Sequence, residues 1–185
     1  MNKHILLFFF IIISVNVNAG FIKISSNGKV LNSDAKSWLC VLDGSSNLMW
    51  EVKTTEDSFR SNLNTYTWFD GISGVEDGEY SHNCFSGESC NSKKYIEDLN
   101  RKYLCGINKW RLPTLDELKG LLVYKDEEPL IDVRLFPNTI ASTYWSSSTS
   151  SEDENIALDV PFFYGGTVGS DKSFDSHIRA VYNVD

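Results

Sequence analysis

Basic residues are scarce in this sequence, and their scarcity limits what the protein can bind. Lysine and arginine number 17 against 25 aspartate and glutamate residues, which gives a formal net charge of -8. A nucleic-acid-binding protein neutralises phosphates with clustered lysines and arginines. The charge balance therefore predicts no nucleic-acid partner.

Linkers, repeats and long apolar runs are also missing from most of the chain. No Pro-rich, Gly/Ser-rich or collagen-like stretch divides it, and after residue 13 no apolar run approaches the ~18 residues of a membrane span. Aromatic residues make up 13% of the sequence and charged residues 23%, a balance that excludes a disordered chain. We therefore expect one continuous folded domain without a membrane span.

The N-terminus has the pattern of a secretory signal. A short basic start precedes nine consecutive apolar residues, Ile5 to Ile13, and Val17 to Ala19 places small residues at a cleavage site. The apolar run is too short for a membrane span, although an uncleaved anchor is the alternative. We predict a signal peptide at 1–19, a mature domain at 20–185, and a secreted or periplasmic protein.

The four cysteines predict disulfides, because an exported protein folds in an oxidising compartment. Cys84 and Cys90 flank a short glycine-containing loop that can close on itself. Of the three possible pairings, we therefore favour Cys84–Cys90 with Cys40–Cys105. A zinc site is the alternative, but the spacing of the cysteines does not match that of zinc ligands, and few histidines follow the signal peptide. We predict no metal and no cofactor.

A first helix is predicted after Cys90. Asn91 or Ser92 can cap it by accepting a backbone N–H. Tyr95, Leu99 and Tyr103 then repeat every four residues, which places them on one face of a helix. This face is expected to pack on a sheet.

A second helix and several short strands complete the prediction. Thr114 and Glu117 form a T-x-x-E capping box. Residues 38–52 are typical of two strands around a turn, residues 155–164 alternate apolar side chains onto one strand face, and 177–182 form a last strand. Strands, two helices and long loops indicate an α+β fold.

One string resembles a known family signature. Residues 110–118 read W-R-L-P-T-L-D-E-L, and shorter pieces before and after it follow in the order of the same family. The chain resembles the Lcl C-terminal domain family, named after a bacterial collagen-like adhesin. The residues taken as its fold signature are Trp50, Trp110, Arg111, Leu112, Pro113, Thr114, Glu117, Leu118, Trp145 and Arg179.

The resemblance implies a fold and a function for residues 20–185. The fold is a C-type-lectin-like α+β domain, with two helices packed on short antiparallel strands and long disulfide-tied loops. The function is that of an exported, non-catalytic adhesion module that recognises a glycan or protein surface outside the cell or in its envelope. Tyr66, Trp68 and Tyr144 are candidate ligand contacts, because aromatic rings stack on sugars and peptides.

There are two alternatives to this function. The related formylglycine-generating enzymes use a pair of cysteines in their C-terminal part, whereas no cysteine follows Cys105 here. We therefore predict no catalytic residues and no enzyme activity. The other alternative is a structural subunit of an envelope assembly. Calcium-dependent sugar binding is not expected, since Glu128-Pro129 and Trp145 are not followed by the residues of the E-P-N and W-N-D strings.

Overall fold

The protein has an α+β fold in the computed structural model, which describes residues 20–76 and 90–184. The predicted signal peptide and Cys84, and with it the predicted Cys84–Cys90 pair, lie outside these residues. The strands are β1 Phe21–Ile24, β2 Cys40–Asp43, β3 Leu48–Glu51, β4 Tyr66–Thr67, β5 Thr143–Thr149, β6 Ile156–Pro161, β7 Val168–Asp171, β8 Asp175–Ser176 and β9 Val181–Asn183. The helices are α1 Ser92–Arg101 and α2 Leu115–Lys119.

The strands pair in antiparallel fashion in three groups. A four-stranded sheet has the order β1-β2-β3-β9, a three-stranded sheet has the order β5-β6-β7, and β4 pairs with β8. In the larger sheet, Met49 lies opposite Tyr182 and Trp50 lies opposite Val181. The last strand thus returns to the sheet begun by the first strands, as the sequence predicts.

The four-stranded sheet is covered on both faces. Successive residues of a strand point to opposite faces, so Cys40 and Met49 join one apolar cluster while Val41 and Trp50 join the other. The first cluster also contains Tyr95 and Leu99 of α1, Trp68, Trp110 and Trp145. The second contains Leu118 of α2, Ile131, Phe136, Tyr144 and Phe162. Each helix therefore belongs to a different core.

A disulfide joins Cys40 of β2 to Cys105, in the turn that follows α1. Both cysteines are buried, and their Cα atoms are 6.5 Å apart. This is one of the two predicted pairs. It connects the sheet to the helical segment across 65 residues of chain.

Helix α1 begins as predicted but ends earlier than the spacing of its apolar residues indicates. The Asn91 side chain caps it by accepting a hydrogen bond from the Lys94 backbone N–H at 2.8 Å, and Tyr95 and Leu99 are buried. Tyr103 is 58% exposed, so its predicted place on the buried face is wrong. The helix ends at Arg101, and Tyr103 itself adopts a left-handed conformation with a φ of 51°.

Helix α2 is short and sharply capped. The Glu117 N–H donates to Thr114 Oγ1 at 3.3 Å, and the Thr114 N–H donates to Glu117 Oε2 at 2.8 Å, which confirms the capping box. Leu118 is buried, and α2 contacts β5 and β6. The predicted packing of this helix on a sheet is therefore confirmed.

Strand β6 departs from the predicted alternation. It is the middle strand of its sheet, and the buried residues on it include Ala157 and Asp159 rather than a single apolar series. The strand ends at Pro161, and Tyr164 lies beyond it, exposed. A strand covered on both faces does not keep the alternation of a half-exposed strand, which explains the error.

The capping box gives a first prediction. Thr114→Ala removes the side chain that accepts the Glu117 N–H, and we expect the free energy of unfolding to fall by about 1 kcal/mol. Chemical denaturation of this variant and of Thr167→Ala, at an exposed loop position, provides the measurement and its control. An equal denaturation midpoint for the two variants would show that the cap contributes nothing.

The disulfide gives a second prediction. Replacing both Cys40 and Cys105 by alanine should lower the free energy of unfolding by about 2–5 kcal/mol, because the unfolded chain regains the entropy of a long loop. The double variant leaves no lone thiol at this site, so its denaturation midpoint can be compared directly with that of the oxidised protein. An unchanged midpoint contradicts the prediction.

Candidate functional site

The family-like string forms a structural corner between β9 and α2. The Arg111 guanidinium donates to both carboxylate oxygens of Glu117, each at 2.7 Å, and to the Leu112 carbonyl at 3.0 Å. The Arg111 backbone pairs with Val181 of β9. Burial alone would raise the pKa of Glu117, but hydrogen bonds from Arg111 and Thr114 bring it below its ordinary value. This corner positions α2.

The tryptophans of the predicted signature are core residues. Trp50, Trp110 and Trp145 are buried. The indole N–H of Trp110 donates to the Leu104 carbonyl at 3.1 Å, and that of Trp145 to the Tyr66 carbonyl at 2.7 Å. These hydrogen bonds hold β4 and the turn after α1 against the core.

The aromatic side chains predicted to contact a ligand, Tyr66, Trp68 and Tyr144, are all buried. The Tyr66 hydroxyl donates to the Phe59 carbonyl at 2.9 Å, and the Tyr144 hydroxyl accepts the Ile140 N–H at 3.1 Å. Their polar groups are therefore used inside the fold. Burial corrects the expectation that Tyr66 and Tyr144 offer their rings to a surface ligand, while Trp68 also lines a groove.

That groove lies between the N-terminal half of α1 and the family-like string. It has a volume of about 510 Å³. Trp68, Phe69 and Ile96 give it apolar walls, and Arg111 and Leu112 close one side. Trp68, a predicted ligand contact, lies beside this concave surface, although its ring is packed and its indole N–H donates to the Ser146 carbonyl.

A buried cluster of charged residues lies on the face of the four-stranded sheet that carries the first apolar cluster. The Glu51 carboxylate accepts hydrogen bonds from the Tyr95 hydroxyl, from Arg60 Nε at 3.3 Å and from the Ala180 N–H at 3.3 Å. Lys53 Nζ lies 3.7 Å from the same carboxylate. Burial would raise the pKa of Glu51, but the neighbouring cations Lys53 and Arg60 lower it, so this carboxylate is ionised.

Arg179 adds a further buried cation to this cluster. Its guanidinium donates to the Glu51 carbonyl and to Thr139 Oγ1, each at 2.7 Å, and lies over the ring of Phe136. Its Nε has no hydrogen-bond partner among the residues that the structure describes. The sequence predicts Arg179 as a fold residue only, because no local pattern indicates its charged surroundings.

A cavity of about 510 Å³ opens beside the cluster. Lys53 and Arg60 line it together with Trp38, Phe59, Glu56 and Asn138. We call it the Lys53 cavity. Burial, together with the nearby Arg60 and Arg179, lowers the pKa of Lys53 to about 8 despite the attraction of Glu51.

A group of exposed aromatic residues forms a separate surface next to the loop between β6 and β7. Tyr124 is 71% exposed, Phe163 36% and Tyr164 55%, and the ring centroids of Phe163 and Tyr164 are 4.6 Å apart. Gly165 has a φ of 79°, and a Cβ at this position would lie 2.8 Å from the Tyr124 ring. Glycine thus lets Tyr124 pack on the loop. We call Tyr124, Phe163 and Tyr164 the aromatic patch.

The sequence prediction missed this patch. The alternation of residues 155–164 predicts a buried strand face for Tyr164, and it indicates nothing for Tyr124 or Phe163. The available signal was three consecutive aromatic residues, Phe162 to Tyr164, directly before the two glycines of a turn. Only Phe162 of the three is buried.

No group of three or more histidine, cysteine, aspartate or glutamate side chains that could hold a metal ion occurs within residues 20–76 and 90–184. In the same ranges, no helix has the length and apolar character needed to cross a membrane.

A third prediction concerns Asp159, whose buried side chain accepts one hydrogen bond from Ser170 at 2.9 Å. Burial raises its pKa from 3.8 to about 6, so the folded state loses stability as the pH rises from about 4 to about 6, where the carboxyl ionises in the unfolded chain more readily than in the folded protein. Asp159→Asn cannot ionise. We expect the stability of this variant relative to the native protein to rise by about 2 kcal/mol between pH 4 and pH 7.

Denaturation at a series of pH values measures this difference. Asp126→Asn, at an exposed position, is the control. A relative stability of the Asp159 variant that stays constant from pH 4 to pH 7 would contradict the raised pKa.

Comparison with protein families gives one match. The family model of the Lcl C-terminal domain matches residues 39–182, a range that contains all the predicted signature residues from Trp50 to Arg179. No curated protein matches the chain.

Proposed function

Because the chain belongs to the Lcl C-terminal domain family, we propose that it is an extracytoplasmic, adhesin-like module that binds a glycan or protein surface through its aromatic patch. We also propose that its α+β fold is of the C-type-lectin-like kind. The buried Cys40–Cys105 disulfide supports an extracytoplasmic location, since such bonds persist in oxidising compartments.

The observation that carries this proposal is the exposure of the aromatic patch. Isolated exposed apolar residues are common, but neighbouring exposed rings mark interaction surfaces more often. Tyrosine and phenylalanine offer a large contact area with few rotatable bonds, and tyrosine adds a hydroxyl that can form hydrogen bonds to a sugar or peptide. Tyr124, Phe163 and Tyr164 have this composition, on loops held by a rigid sheet.

A non-catalytic function is part of the proposal. The related enzymes need reactive cysteines, whereas Cys40 and Cys105 are joined in a buried disulfide. None of the cysteines within the described ranges is a free thiol. The residues of the family-like string form internal hydrogen bonds and ion pairs, which supports a structural function for them.

A fourth prediction tests the aromatic patch. We expect the purified protein to bind members of an array of bacterial and host surface glycans and envelope proteins. Replacing Tyr124, Phe163 and Tyr164 by serine should weaken that binding at least tenfold, because central aromatic residues of an interface each contribute about 2 kcal/mol or more.

Tyr103→Ser is the matched control, since Tyr103 is an exposed tyrosine at the end of α1. Thermal unfolding should show that the triple variant remains folded. Equal binding by the native protein and the folded triple variant would exclude the patch as the contact surface. Absence of any ligand on the array would instead favour the structural-subunit alternative.

A further inference from the structure

The Lys53 cavity has an excess of positive charge that the fold itself does not neutralise. Lys53 and Arg60 both pair with the buried carboxylate of Glu51. Arg179 donates a hydrogen bond to the backbone carbonyl of the same residue. The Glu51 oxygens are already occupied by Tyr95, Arg60 and the Ala180 N–H. Buried charges are normally paired, because desolvating an unpaired ion is expensive.

The residues that line the cavity indicate which kind of ligand would balance this charge. Lys53 is almost completely buried, and its Nζ donates to the Tyr95 hydroxyl at 2.8 Å, so this cation is held in place rather than free in solvent. Trp38 and Phe59 supply apolar walls, and Asn138 supplies an amide. A volume of about 510 Å³ lies within the range of small-molecule sites, about 300–1,000 Å³.

We propose that the Lys53 cavity binds a small organic carboxylate, which the Arg60 guanidinium contacts and which the buried Lys53 ammonium attracts by its charge. Four cations lie in the cavity and the cluster beside it, against two carboxylates, so the local excess is two positive charges: Lys36, Lys53, Arg60 and Arg179 against Glu51 and Glu56. This excess attracts an anion, and the apolar walls formed by Trp38 and Phe59 favour an organic acid over inorganic phosphate or sulfate.

This site is independent of the aromatic patch. Neither Tyr124 nor the β6–β7 loop lines the Lys53 cavity. The folded triple variant of the patch should therefore bind the carboxylate as the native protein does, which separates failure of one proposal from failure of the other.

The test is calorimetric titration of the purified protein with D-glucuronate and with N-acetylglycine, each compared with its neutral counterpart, glucose or N-acetylglycinamide. We expect at least one carboxylate to bind and its neutral counterpart to bind at least tenfold more weakly. Preference between the two acids tells whether the carboxylate comes from a sugar acid or from an amino acid. Inorganic phosphate and sulfate form the third arm.

Two variants locate the binding. Lys53→Met should weaken it at least tenfold, with Lys119→Met, at an exposed position of α2, as the matched control. Because Lys53 is part of the buried cluster, Lys36→Glu at the exposed rim provides a second variant that leaves the core intact, and it should weaken binding severalfold. Three results would each overturn the proposal. The carboxylates bind no better than their neutral counterparts, both variants leave the binding unchanged, or phosphate or sulfate binds more tightly than the carboxylates.

Discussion

The carboxylate of Glu51, buried at the end of β3, is the group on which the arrangement of this fold depends. An ionised carboxylate inside a protein needs cations and hydrogen-bond donors around it. Here they come from distant parts of the chain: Tyr95 from α1, Arg60 from the loop after β3, and the Ala180 N–H from the segment before β9. Arg179 binds the backbone carbonyl of the same residue. Satisfying one buried charge thus fixes a helix, a loop and the last strand together.

The two apolar cores lie on opposite faces of the sheet that carries Glu51. Because β2 and β3 alternate their side chains between the two faces of the four-stranded sheet, α1 and α2 pack into separate cores and do not compete for the same surface. The disulfide and the Arg111–Glu117 ion pair reinforce the places where each helix joins the sheet. Both helices are therefore tied to the four-stranded sheet by contacts in addition to apolar packing.

The surfaces suited to binding lie outside this centre and differ in their chemistry. The aromatic patch is exposed and has no charged member, which suits contact with an extended surface. The Lys53 cavity is concave and cationic, which suits a small anion. An adhesin-like module with both would combine broad contact with recognition of one chemical group, and each can be removed by substitution without altering the other.

The sequence by itself determined the features that depend on neighbouring residues. The Asn91 cap and the Thr114–Glu117 capping box each involve residues three positions apart, and the turn between β2 and β3 is equally local. The family-like string could also be identified from the sequence, because its residues are contiguous. The tertiary structure alone decided which aromatic residues are buried and which are exposed: Tyr66 and Tyr144 are core residues, while Tyr124 and Tyr164 are at the surface. The tertiary structure also decided which charged residues come together, since Arg179 and Glu51 are 128 residues apart in sequence and no local pattern links them. Burial is a property of how distant segments pack, so a short stretch of sequence does not contain it.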